Sequence, residues 1–156
     1  MIKRAVFLGS KKLGLNVLNV LVSSNKEVNW TILCPNDLED SRNNYKEFEK
    51  FANNNSIEIK IVNSNKDILN TTKDFKPELI IGSGYYRILS KEVLNSVPLG
   101  VFLIHNSLLP KYRGGSPLVW QILNAEEKIG ATLFKLEEGL DDGPIIKQVS
   151  IENKNL

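Results

Sequence analysis

The chain has 156 residues, 42% of them hydrophobic, which is enough to bury a sizeable core in one domain. Twenty Lys and Arg against eighteen Asp and Glu leave a formal charge of +2, and with no basic block nothing marks an obligatory nucleic-acid partner. A lone cysteine, Cys34, excludes an intrachain disulfide and fits a reducing compartment.

The first apolar run, residues 5–8, stands between Met1-Ile2-Lys3-Arg4 and Gly9-Ser10-Lys11-Lys12. It is too short for a signal peptide or a membrane span, so the expectation is a soluble cytoplasmic protein with no membrane partner. Short β-rich runs then alternate with stretches of helical period, the pattern of a mostly parallel sheet flanked by helices on both faces, an α/β fold. The runs predict strands at 4–9, 28–34 (with Cys34 buried), 58–62, 78–81, 100–105, 131–136 and 145–151. Leu13, Val17, Leu18, Val20 and Leu21 recur at helical spacing between the first two. Residues 36–54 are charged and Asn-rich, with Leu38, Tyr45, Phe48 and Phe51 spaced as one apolar stripe on a wet helix. Ser116-Pro117 reads as an N-cap followed by proline in the first turn of a helix over 117–127.

Residues 104–115 read IHNSLLPKYRGG. His105, the only histidine, falls at the carboxyl end of the fifth predicted strand, and residues 107–115 form the loop that leaves it. Open α/β sheets place their ligand clefts at such points. A solitary histidine there fits a structural role as well as a catalytic one. The same holds for the acid of the Asp141-Asp142-Gly143 turn, and Trp120 fits either a core or a site.

Taken together, His105, Ser107-Leu108-Leu109-Pro110, Tyr112-Arg113-Gly114 and the later Gly139-Leu140-Asp141-Asp142-Gly143-Pro144-Ile145 resemble the folate-dependent formyltransferases. The family pattern is His-x-Ser-Leu-Leu-Pro-x-Tyr-Arg-Gly, then a helix, a strand and Gly-[Ile/Leu]-Asp-x-Gly-Pro-Ile. His105 and Asp141 stand 36 positions apart, room for one helix and one strand to carry the second loop back beside the first. Residues 80–89, IIGSGYYRIL, are similar to the family segment that lines the pterin pocket with backbone groups, and residues 5–10 and Leu13-Gly14 to its first strand and turn.

The resemblance implies a Rossmann-like catalytic domain over residues 1–156 that moves a formyl group from 10-formyltetrahydrofolate, its co-substrate, to a small-molecule primary amine, with no metal. It implies His105 and Asp141 as catalytic residues. Arg87, Ile88, Leu89, Glu138, Gly139 and Leu140 would meet the folate, and Ser107, Tyr112, Arg113 and Gly114 the acceptor. The chemistry suits these types: an imidazole titrates near neutrality and, held by a carboxylate, can take a proton and steady developing charge.

Residues 111–120 look most like the members that formylate nucleotide-linked amino sugars, the first expectation for the acceptor; a purine precursor and methionyl-tRNA are the alternatives. The chain is shorter than the usual catalytic domain, which continues past the last predicted strand, and it has no room for the C-terminal barrel of methionyl-tRNA formyltransferases. Lys11 or Lys12 fits a phosphate contact or an ordinary strand-to-helix turn.

One position departs from the pattern. The family carries Asn-x-His, and here the residue two before His105 is Leu103. Alternation on a strand puts both on one face, so leucine removes an amide donor from the formyl oxygen. Asn106 would face the other way unless the strand bulges or turns. A folate-binding relative that no longer transfers formyl groups is therefore a further alternative.

Overall fold

The computed structural model describes residues 1–154; the last two positions of the expected 1–156 domain lie outside the described residues. The fold is α/β, a seven-stranded and mostly parallel sheet with helices. The chain divides into two compact units, Met1–Val101 and Phe102–Leu156.

In the first unit β1 (Arg4–Gly9), β2 (Asn29–Cys34), β3 (Glu58–Ile61) and β4 (Leu79–Ser83) run parallel in the order β3-β2-β1-β4. Phe7 pairs with Ile32 on one side and Ile81 on the other. β1 and β2 are buried beyond their first residue, as strands covered on both faces are. Helix α1 (Lys11–Ser24) fills the first crossover. Its Gly14 lies so near β4 that a Cβ would come within 2.6 Å of the Ser83 carbonyl.

The core joins Ala5, Phe7, Leu18, Trp30, Ile32, Cys34, Phe48 and Ala52, with the Phe7 and Phe48 rings stacked at 6.2 Å. Each such fully buried large side chain contributes about 1.5–3 kcal/mol relative to exposure. Burial pushes the Cys34 thiol up to about 12, so it stays protonated at neutral pH.

Helix α2 covers only Tyr45–Asn54, not the whole of 36–54. The cause is local. Asp40 Oδ1 accepts from the Arg42 N–H at 2.8 Å and Asn43 Oδ1 from the Tyr45 N–H at 2.9 Å; such side-chain bonds offer the backbone an alternative to the helix. Leu38, outside the helix, is 84% exposed rather than part of the stripe, whereas Phe48 is fully buried.

Two helices were not anticipated, α3 (Asn65–Phe75) and α4 (Lys91–Leu94). The first starts in a capping box in which Ser64 and Asp67 satisfy each other's backbone N–H groups. Ile68, Thr71 and Thr72 form its buried stripe.

The second unit carries β5 (Val101–His105) from Phe102 onward, α5 (Pro117–Leu123), β6 (Lys128–Lys135) and β7 (Ile145–Glu152). Both of its strand pairs are antiparallel, the minority part of the mostly parallel sheet. The loop between β6 and β7 is too short for a crossover, so those strands must return as a hairpin. Helix α5 stops at Leu123, four residues before its predicted end, because Ala125 takes a left-handed φ of 48°. That frees Lys128 to open β6, three residues early. Pro117 sits in the first turn as predicted, but Ser116 has φ 54° and its side chain makes no capping bond. Trp120 is 54% exposed, which removes it from the core.

Candidate active site

β5 delivers His105 as its last residue, and the β6–β7 connection delivers Asp141. His105 Nδ1 lies 3.5 Å from Asp141 Oδ2, with the two side chains only 10% and 18% exposed. The other ring nitrogen, Nε2, lies 2.7 Å from the main-chain oxygen of Tyr112. Asp141 Oδ2 also accepts the Gly114 N–H at 2.7 Å, which ties the two loops together through the carboxylate. Asp141 itself has φ 43°, a left-handed conformation that Asp tolerates better than most side chains do. One helix and one strand, α5 and β6, separate the paired residues in the chain.

The loop after β5 is rigidly built. Thr132, fully buried on β6 and opposite His105 in register, donates its hydroxyl to the Ser107 carbonyl at 2.6 Å and accepts the Leu109 N–H at 3.1 Å. Gln148 Nε2 donates to the Leu109 carbonyl and to Thr132 Oγ1, at 2.8 and 2.9 Å. Gln121 is the only fully buried residue of α5; its Nε2 donates to the Asn106 carbonyl at 2.6 Å and its Oε1 accepts the Gly130 N–H at 3.3 Å. Thr132, Gln121 and Gln148 carried no motif that a sequence reading could seize; only a buried polar residue opposite a predicted site residue could have signalled them.

The other expected residues divide. Ser107 is fully buried and its hydroxyl donates to the Lys111 carbonyl at 2.6 Å, so its side chain is built into the loop. Arg113 pairs with Asp142 at 3.0 Å on the exposed side of the same loops. Leu140 is 65% exposed, and a Cβ on Gly139 would meet the Asp142 side chain at 2.7 Å. Leu103 is half-buried on β5 and registers opposite the buried Phe134. Asn106 lies in a bend just past the strand, so alternation no longer governs it.

Gly143 holds the second loop closed. Its φ is 129° and a Cβ there would stand 2.0 Å from the Lys135 carbonyl oxygen. Gly143→Ala is expected to destabilise the fold by at least about 1–3 kcal/mol. The shift of the urea midpoint measures it, and an unchanged midpoint would mean that the loop relaxes freely.

Arg87, Ile88 and Leu89 belong to the first unit. Asn65 clamps this segment, donating to the Ile88 carbonyl at 3.2 Å and accepting the Ser90 N–H at 3.2 Å. The Ile88 side chain is 85% exposed and Leu89 is buried. The Arg87 guanidinium donates to Asp37 at 2.8 Å and to the Asn63 carbonyl, and stands 5.8 Å from the Tyr86 ring centre. Lys11 lies over the same ring at 5.1 Å and pairs with Asp40, whose carboxyl it holds well below the usual range. No group of His, Cys, Asp and Glu among the described residues could hold a metal ion, and no helix among them is long and apolar enough to cross a membrane.

His105 thus faces the Asp141 carboxylate between two loops at strand ends, and comparison gives the family. The formyl transferase family model matches residues 3–154. The chain is 31% identical over 153 residues to a methionyl-tRNA formyltransferase of Acetivibrio thermocellus, covering 96% of this chain and 49% of that protein. It is 40% identical over 149 residues to one of Campylobacter lari, covering 91% and 45%. Among solved structures, a phosphoribosylglycinamide formyltransferase from Bacillus halodurans shares the fold with a TM-score of 0.82 at 18% identity, over 98% of this chain and 81% of that one. A formyltetrahydrofolate deformylase from Pseudomonas syringae does so with a TM-score of 0.80 at 19% identity, over 99% and 53%. The chain belongs to the formyl transferase family. It spans about half the length of the curated relatives it matches.

Proposed function

We propose that this chain transfers a formyl group from 10-formyltetrahydrofolate to a primary amine. The observation that carries the reading is the His105–Asp141 pair, with Nδ1 3.5 Å from the carboxylate. In the reaction a bond forms between the acceptor nitrogen and the formyl carbon, and the bond from that carbon to folate N10 breaks. The acceptor nitrogen loses one proton and N10 gains one. The His105–Asp141 pair takes the acceptor's proton, directly or through a water, and the imidazolium so formed steadies the negative charge on the formyl oxygen. The family match over residues 3–154 supports reading the whole chain as one such domain, and the lone buried Cys34 goes with a reducing, cytoplasmic setting.

For the acceptor we favour the amine of methionyl-tRNA, on the names of the relatives at 30% identity or more. A tRNA partner stays within the reading although the net charge is only +2. A nucleotide-linked amino sugar is the second reading, carried by residues 111–120 and the half-exposed Trp120. Incubating the chain with 10-formyltetrahydrofolate and, in parallel, methionyl-tRNA, a sugar-nucleotide amine and a purine-precursor amine tests these. A formylated product identifies the acceptor class. Folate binding with no product from any amine favours the non-catalytic alternative raised by Leu103.

Folate contacts are assigned to the backbone of Arg87, Ile88 and Leu89, and to Glu138, Gly139 and Leu140, on the family motif. The Arg87 charge is already taken up by Asp37 and the Asn63 carbonyl. Arg87→Ala is therefore expected to leave the folate Kd nearly unchanged while lowering stability by up to about 1 kcal/mol. A large rise in Kd by titration calorimetry would mean that the guanidinium itself meets the ligand.

A further inference from the structure

We propose that Tyr112 is a positioning residue for His105: clamped by Glu126 and Asn124, it holds its main-chain carbonyl against Nε2 and confines proton exchange to Nδ1, the edge that faces Asp141. Its catalytic meaning rests on the formyl-transfer reading above. A carbonyl oxygen only accepts, so the ring nitrogen 2.7 Å from it must carry the hydrogen. The neutral imidazole is then the Nε2–H tautomer, with its lone pair on Nδ1. An incoming proton lands there, and Nδ1–H then donates toward Asp141 Oδ2. An acceptor N–H bond breaks, its electron pair stays on the acceptor nitrogen, and an N–H bond forms at Nδ1 while Nε2–H is left intact.

Tyr112 does not reach this position by default. Its φ of 58° is left-handed, uncommon for a bulky side chain and kept only where the surroundings enforce it. The enforcement is on its far end. The Tyr112 hydroxyl donates to Glu126 Oε1 at 2.6 Å and accepts from Asn124 Nδ2 at 3.0 Å. Both partners flank Ala125, the left-handed residue where α5 ends, so the clamp is fixed to the helix terminus. The Glu126 carboxyl is held below its usual range, first by the Tyr112 hydroxyl and also by Lys111, so it remains an acceptor at neutral pH.

Because His105 is the only histidine, nitrogen NMR of the 15N-labelled chain reads its tautomer without assignment by mutation. In the neutral ring the expected result is a protonated-type signal at Nε2 and a bare-type signal at Nδ1. An Nδ1–H tautomer or an even mixture would overturn the proposal. Tyr112→Phe and Glu126→Ala should each draw the two signals together, whereas Glu126→Gln, which still accepts the phenol hydrogen, should keep them apart. If Tyr112→Phe fails to fold, the Glu126 pair decides; a folded Glu126→Ala chain with an unshifted tautomer overturns the clamp. In formylation assays Tyr112→Phe and Glu126→Ala should lose on the order of tenfold in kcat with KM unchanged, less than removal of the base itself. A shifted tautomer with unchanged kcat would also overturn the positioning role. The NMR readout needs no folate and no turnover, so a locked tautomer in an inactive chain counts against the formyl-transfer reading and not against the clamp.

Discussion

Asp141→Asn is expected to lower formyl transfer by on the order of 10²–10⁴, the range a positioned acid or base supplies. The substitution is close to a pure change of chemistry. Asparagine tolerates the left-handed φ of 43° as aspartate does, and its amide oxygen can still accept the Gly114 N–H now held at 2.7 Å. What it lacks is the full negative charge: Asp141 Oδ2 both accepts the Gly114 N–H and lies 3.5 Å from Nδ1, and the amide oxygen that takes its place stabilises a protonated ring less. The loss should therefore appear in turnover, with folate affinity and the thermal midpoint nearly those of the parent. Parent-like turnover in a folded Asp141→Asn chain would show that the carboxylate holds the loops together and takes no part in proton transfer.

The second large effect has the opposite sign. Leu103→Asn restores an amide on the face that His105 shares, and it is expected to raise formyl transfer by on the order of 10²–10³, the value of one oxyanion donor. Folate affinity should barely change, because the amide acts on charge that develops in the transition state. Packing opposes a clean result. Leu103 is half-buried opposite the fully buried Phe134, and an amide left partly unsatisfied there costs about 1–3 kcal/mol. Turnover per folded molecule, with stability followed in parallel, separates the two terms. An asparagine variant that folds, binds folate and gains nothing would mean that the missing donor does not limit this protein.

How far the chain could be read in advance depended on which interactions are local. β1, β4 and β5 were legible because short apolar runs bounded by polar turns have few other uses, and β3 because Glu58-Ile59-Lys60-Ile61 alternates. Helix α3 was missed although Ser64-Asn65-Lys66-Asp67 spells a capping box, since its apolar stripe is built from Ile68 and two threonines. Residues 36–44 misled in the other direction: their asparagines and aspartates bond the backbone at close range and stop the helix that composition suggested. Antiparallel β6 and β7 follow from one short loop, a feature that strand patterns leave silent.

At the site, His105 and Asp141 were readable as a motif, and their 3.5 Å approach follows from the two loops lying side by side. The partner of the Ser107 hydroxyl, the Lys111 carbonyl, is invisible in sequence. The polar residues that brace the loop, Thr132, Gln121 and Gln148, sit on other elements and were found only once the fold had brought them together.

The side-chain bonds described around His105 and Asp141, from the Thr132 hydroxyl to the Gly114 amide, run among residues of the segment from His105 to Gln148. The proposed proton-transfer pair and its braces thus form a single uninterrupted cassette, with the proposed folate contacts at Arg87, Ile88 and Leu89 outside it. A recombination crossover upstream of Phe102 or downstream of Glu152 would hand the pair, its braces and its tyrosine clamp intact to a chimera, whereas a crossover within α5 would split a donor from its acceptor. Shuffled libraries built among relatives of this chain should accordingly keep the His105–Asp141 approach and its braces in every folded member whose stretch comes whole from one parent.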